Sequence, residues 1–119
     1  MPPIKPKARL RCPPQLFGIY EDAAKAGAST FCLENLPHAI MASFSVRNHA
    51  QEIDFEFDSG QEMFDYLLSQ PGVRKSRRGH GMVQYGEQSI PCLIEAEEIC
   101  RGRERIRVSW QLSATPKRV

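Results

Sequence analysis

Most of the signatures by which a sequence announces its chemistry are missing from this one. Its four cysteines, Cys12, Cys32, Cys92 and Cys100, are separated by 19, 59 and 7 intervening residues. No C-x-x-C pair and no Cys/His spacing of a zinc site arises from them. A G-x-x-x-x-G-K-[ST] loop is absent, and G-x-G-x-x-G fails because Gly79 and Gly81 are followed only by Gly86. G-x-S-x-G, H-E-x-x-H and protein-kinase signatures are lacking too. No catalytic residue, metal ligand or cofactor is therefore assigned. The basic amino-terminal residues lead into no apolar h-region, which argues against a secretory signal, and no apolar run has the length of a membrane span. The reading is a cytoplasmic protein with reduced thiols and no membrane partner. There is no internal repeat.

What is present is the composition of one globular domain. With 119 residues, 41% apolar and 25% charged, the chain can bury a small core, and global disorder is disfavoured. The net charge is only +2, but ten of the sixteen Lys and Arg residues lie in three places. These are the Pro-rich arm over 1–14 (Lys5, Lys7, Arg9, Arg11), the segment 71–81 (Arg74, Lys75, Arg77, Arg78) and the tail over 113–119 (Lys117, Arg118). The folded body, 15–112, is left net acidic. Such asymmetry can mark a surface for an anionic partner, and it also solubilises loops and tails.

The organising stretch is Ala39–Gln70. Ile40, Ala42, Phe44 and Val46 alternate with Met41, Ser43, Ser45 and Arg47, and Ile53, Phe55 and Phe57 alternate with Asp54, Glu56 and Asp58. Period-2 patterning predicts two half-buried strands turning at Asn48-His49-Ala50. Ser59 followed by Glu62 reads as a capping box that opens a helix. Met63, Phe64, Leu67 and Leu68 then follow helical spacing until Pro71-Gly72.

Upstream, Leu16, Ile19, Tyr20 and Ala23 predict a helix over 14–26, with Pro14 in its first turn and Gly27 at its end. Phe31-Cys32-Leu33 reads as a linker into the sheet. Downstream, 71–81 reads as a loop, Met82–Tyr85 as a strand, and Gly86-Glu87-Gln88 as a turn. Residues 89–100 fit a strand or a helix. The clean alternation of Ile106, Val108, Trp110 and Leu112 favours a hairpin turning at Arg101-Gly102-Arg103, with Glu95 and Glu97 facing Arg105 and Arg107. The expected fold is α+β, in the order αββαβββ, with an antiparallel sheet of about five strands and helices on one face.

Four constellations bear on function. Arg74, Lys75, Arg77, Arg78 and His80, beside Gly79 and Gly81, could contact phosphates, since guanidinium forks match phosphate oxygens and glycine lets a backbone approach. The same segment also reads as a solvated loop. Glu52, Asp54, Glu56 and Asp58 project from one face of one strand and do not converge as metal ligands do, so they read as a solvated face that resists edge-to-edge pairing. His38, His49 and His80 fall in turns or loops and Cys92 faces inward, which suits a structural thiol better than a nucleophile. Phe17, Tyr20, Phe31, Met41 and Leu93 fall where a simple in/out pattern leaves them exposed or marginal. Grouped, they would form a protein or homodimer interface.

These readings lead to a small, non-enzymatic regulatory protein of adaptor, inhibitor or anti-activator type that binds another protein. The alternative is a nucleic-acid-binding protein that grips phosphates with the arm and residues 74–80. An enzyme whose groups converge from loops without a local motif is the third.

Overall fold

The computed structural model describes residues 11–37, 39–46, 49–111 and 117–118. Expectations for residues 1–10, His38, Asn48, Leu112 and most of the tail lie outside the described residues. Helix α1 (Pro14–Lys25) has Pro14 in its first turn and buries Leu16, Phe17, Ile19, Tyr20 and Ala23. Gly27, at φ +92, ends it while the Ala28 N–H reaches back to the Ala23 carbonyl at 2.9 Å.

Strands β1 (Thr30–Asn35), β2 (Ile40–Val46) and β3 (His49–Phe55) follow, then helix α2 (Phe57–Leu68) and the single turn α3 (Val73–Ser76). Strands β4 (Arg78–Tyr85), β5 (Gln88–Cys100) and β6 (Arg103–Ser109) complete the sheet. A two-residue β7 (Lys117–Arg118) pairs with the start of β5. All pairings are antiparallel, in the order β3-β2-β1-β6-β5-β4. The class is α+β, and the sheet has one more long strand than expected. No helix among the described residues is long and apolar enough to cross a membrane.

The extra strand is β1. Phe31-Cys32-Leu33, expected to be a linker, forms the middle of the sheet: Leu33 pairs with both Ala42 and Ile106 and is fully buried. Its alternation is too short to read alone, because only Phe31 and Leu33 face the core. The β5–β6 hairpin has the expected register, Glu95 opposite Arg107 and Glu97 opposite Arg105. Its uncovered face carries an ion-pair row in which Glu34, largely buried, accepts from Arg103 and lies 3.8 Å from Arg105.

The capping box does not form. Helix α2 begins at Phe57, three residues early, with Glu56 at the N-cap and no side chain capping it. The Gly60 N–H already bonds the Glu56 carbonyl at 2.9 Å, so Ser59 lies inside the first turn. Packing accounts for this. A Cβ on Gly60 would lie 2.3 Å from Ile40 Cβ, so α2 docks at the closest approach that glycine permits, and the helix must be wound by Gly60 to reach it. Core burial there outweighs a cap worth about 1 kcal/mol. Ser59→Ala should therefore change unfolding free energy by no more than about 0.5 kcal/mol, whereas a working cap would cost about 0.5–2. Urea denaturation of the two proteins decides between them.

Candidate functional site

The three aromatic members of the expected interface patch are core residues. Phe17, Tyr20 and Phe31 are 3%, 4% and 1% exposed. Tyr20 and Phe31 pack on Trp110 with ring centroids 4.9 and 5.8 Å apart. Helix α1 lies over β4, β1 and β2, and its amphipathic stripe is wide enough to take in Phe17, which single-face counting placed at the border. Met41 and Leu93 stay half-exposed on the uncovered sheet face, separated by β1 and β6. The five residues do not form one patch.

The basic segment is not a single loop either. Arg74 and Lys75 lie exposed on α3, and Arg77 closes that turn in the left-handed conformation, at φ 60. The Arg77 guanidinium donates to Glu104 at 3.0 Å, while its carbonyl accepts from the Ala96 N–H at 2.9 Å. Arg78 and His80 belong to β4, the last strand of the sheet. Gly79 and Gly81 do allow close approach, but by this chain itself: a Cβ on Gly79 would lie 2.0 Å from the Pro71 carbonyl, and one on Gly81 2.7 Å from the Gln70 side chain. The link from α2 to α3 thus lies directly on β4.

That link, the entry to α1 and the outer edge of β4 enclose a groove of about 1550 Å³. Arg11, Arg74, Lys75 and His80 line it together with Tyr66, Gln70, Met82 and Tyr85, and among the described residues no carboxylate does. Among the described residues none of Arg11, Arg74 and Lys75 forms an ion pair. The groove is therefore a region of uncompensated positive charge beside apolar walls, which concentrates anions.

Its floor is a strand edge. The Tyr66 hydroxyl donates to the Met82 carbonyl at 2.5 Å, and the Gln84 N–H donates to Cys12 Sγ at 3.3 Å. Main-chain groups of alternate residues in an antiparallel ladder point to the same side. Since Met82 and Gln84 point outward, so does His80. Among the described residues nothing meets the His80 N–H and C=O. The edge is closed at one end by side chains and open at its middle.

The Cys12 thiol and the Tyr66 hydroxyl within the groove are held in their protonated forms at neutral pH. Burial pushes the Cys12 thiol up, partly offset by the Gln84 N–H. Burial, reinforced by the neighbouring Cys12, pushes the Tyr66 hydroxyl well above its ordinary value. Cys92, behind β4, is pushed up to about 12 by burial. All four cysteines are free, and these two remain protonated thiols. The acidic strand β3 lies at the opposite end of the sheet, with Glu52 and Asp54 exposed, and no group of three metal-ligating side chains gathers among the described residues.

Sequence reasoning found Arg74, Lys75 and His80 and, in the nucleic-acid reading, joined them to the arm that holds Arg11, but it did not find Tyr66 or Tyr85. Arg11 precedes α1, Tyr66 lies in the last turn of α2, and Tyr85, at the end of β4, is 58% exposed, beyond the cover of the helices. Tyr85 stacks on Phe17 at 6.0 Å, at the end of the groove. No local pattern brings these residues together. No protein-family model matches this chain and no curated protein matches its sequence, so the geometry of the β4 groove carries the functional argument.

Proposed function

We propose that this chain is a small non-enzymatic regulatory protein that binds a protein partner by taking an extended acidic segment of it into the β4 groove. One observation supports this above the rest: the open main-chain pair of His80 lies on a strand edge lined, among the described residues, by Arg11, Arg74 and Lys75 and by no carboxylate. A strand edge offers hydrogen bonds that hold any extended backbone, and the cations select acidic side chains on it. Holding such a segment denies it to other proteins, which is how an adaptor, inhibitor or anti-activator acts. Four free cysteines suit a reducing cytoplasm.

The test is anisotropy of a labelled peptide alternating Glu and Val. Binding is expected to fade as salt rises toward ~0.5 M, and Arg11→Glu/Arg74→Glu/Lys75→Glu is expected to weaken it at least about tenfold. Absence of binding at low salt, or equal binding by the triple variant, refutes the proposal.

Tyr85 favours a second reading. An exposed ring beside cations that form no ion pair among the described residues is also a stacking platform for single-stranded nucleic acid, which the groove could track. Tyr85→Ala should then cost about 1–3 kcal/mol in oligonucleotide binding and leave the peptide's affinity unchanged.

A further inference from the structure

The two ends of the sheet carry opposite charge. On β3 the exposed Glu52 and Asp54 are followed by exposed Glu56, and on β4 the exposed Arg78 and His80 lie beside Arg74 and Lys75. Both pairs project from the same, uncovered face. One row of cross-strand neighbours runs Glu52, Ser43, Cys32, Arg107, Glu95, Arg78 from edge to edge.

The topology makes these edges complementary in backbone as well. Six strands alternate in direction, so β3 and β4 run antiparallel, and a copy placed in continuation of the sheet meets its neighbour with the alternation unbroken. The main-chain pattern also fits. The Leu36 N–H bonds the Ala39 carbonyl at 2.8 Å, and counting alternate residues across β1, β2 and β3 from that pair turns the main chains of Glu52 and Asp54 outward. On β4 the outward residues are Arg78 and His80, by the same count that turns Met82 and Gln84 out. Outward main chains and complementary side chains therefore coincide on both edges.

We infer that β3 of a second copy is an occupant of the β4 groove, so that the chain self-associates head to tail through its sheet edges. The inference rests on the groove being an acceptor of acidic strands. Pairing of like edges, β3 on β3 or β4 on β4, sets equal charges opposite each other and is disfavoured. Tyr66, Cys12 and the α2–α3 link leave only a short open run around His80, so the contact is small and weak. Because the contact is heterologous, it builds rings or open chains and not a two-fold dimer.

Sedimentation velocity tests this on the full chain. The weight-average mass is expected to rise above the 13.5 kDa monomer between ~10 µM and ~1 mM protein at low salt and to return to it near ~0.5 M salt. Glu52→Lys/Asp54→Lys and Arg78→Glu/His80→Glu should each be monomeric alone and should recover association when mixed in equal amounts. A wild type that stays monomeric at ~1 mM and low salt overturns the inference without recourse to any variant. Undiminished association of Glu52→Lys/Asp54→Lys overturns it too, since that protein retains only like-charged edges. The same variant keeps an intact groove: if it binds the Glu/Val peptide while the wild type does not self-associate, the groove's reading stands and this inference falls.

Discussion

Replacing Gly79 with alanine is expected to cost about 3 kcal/mol or more, at the upper end of what overpacking a core does. The added Cβ would stand 2.0 Å from the Pro71 carbonyl oxygen and 2.9 Å from Val73 Cγ2. A backbone oxygen cannot rotate aside as the tip of a flexible side chain can. Either β4 pulls away from β5 or the α2–α3 link lifts, and lifting exposes Val73, which is fully buried. Such a loss is a large share of the about 5–15 kcal/mol typical of a domain. Gly18 serves as the control. Inside α1 a Cβ there meets nothing within 4 Å, so Gly18→Ala should stabilise by about 0.5–1 kcal/mol through helix propensity alone. Urea midpoints of the two variants should move in opposite directions. Equal, small shifts would mean that the link does not rest on β4, and the groove wall it forms would go with it.

Leu67→Ala is expected to cost about 2–5 kcal/mol, from lost transfer energy and the cavity left behind. Leu67 is fully buried in the core with Met63 and Phe64 from the same helix. Leu68, its neighbour, is half-buried and turns into the groove. The truncation at 67 should lower the denaturation midpoint steeply, while Leu68→Ala should leave more of the stability and weaken peptide binding instead. If Leu67→Ala melted like the wild type and affected only association, α2 would be a peripheral element and its apolar face a docking surface.

Those two substitutions also separate what could be read locally from what could not. The stripe containing Leu67 is visible in the sequence because helical spacing repeats every turn, and the same logic placed Leu16, Ile19 and Tyr20 inward on α1. The expected packing partners were less legible. Trp110, which the alternation marks only as an inward residue, packs with Tyr20 of α1 and Phe31 of β1, two partners far away along the chain. The role of Gly79 was misread for a related reason. Two glycines among arginines look like room for a phosphate, and nothing nearby in sequence reveals that Pro71 takes that room.

By itself the sequence determined the periodic elements. It specified both long helices, β2, the β5–β6 hairpin and its charge register, because in/out alternation and turn glycines act over a few residues and need no distant partner. Tertiary structure decided the rest. It made a central strand of Phe31-Cys32-Leu33, since a strand flanked on both sides gains its hydrogen bonds from segments far along the chain. It started α2 ahead of its capping signal, because the contact of Gly60 with Ile40 outweighs one cap. It also gathered Arg11, Tyr66, Arg74, His80 and Tyr85 along one strand edge from separate elements, and the charge of a groove is a sum over neighbours in space, which no spacing along the chain encodes.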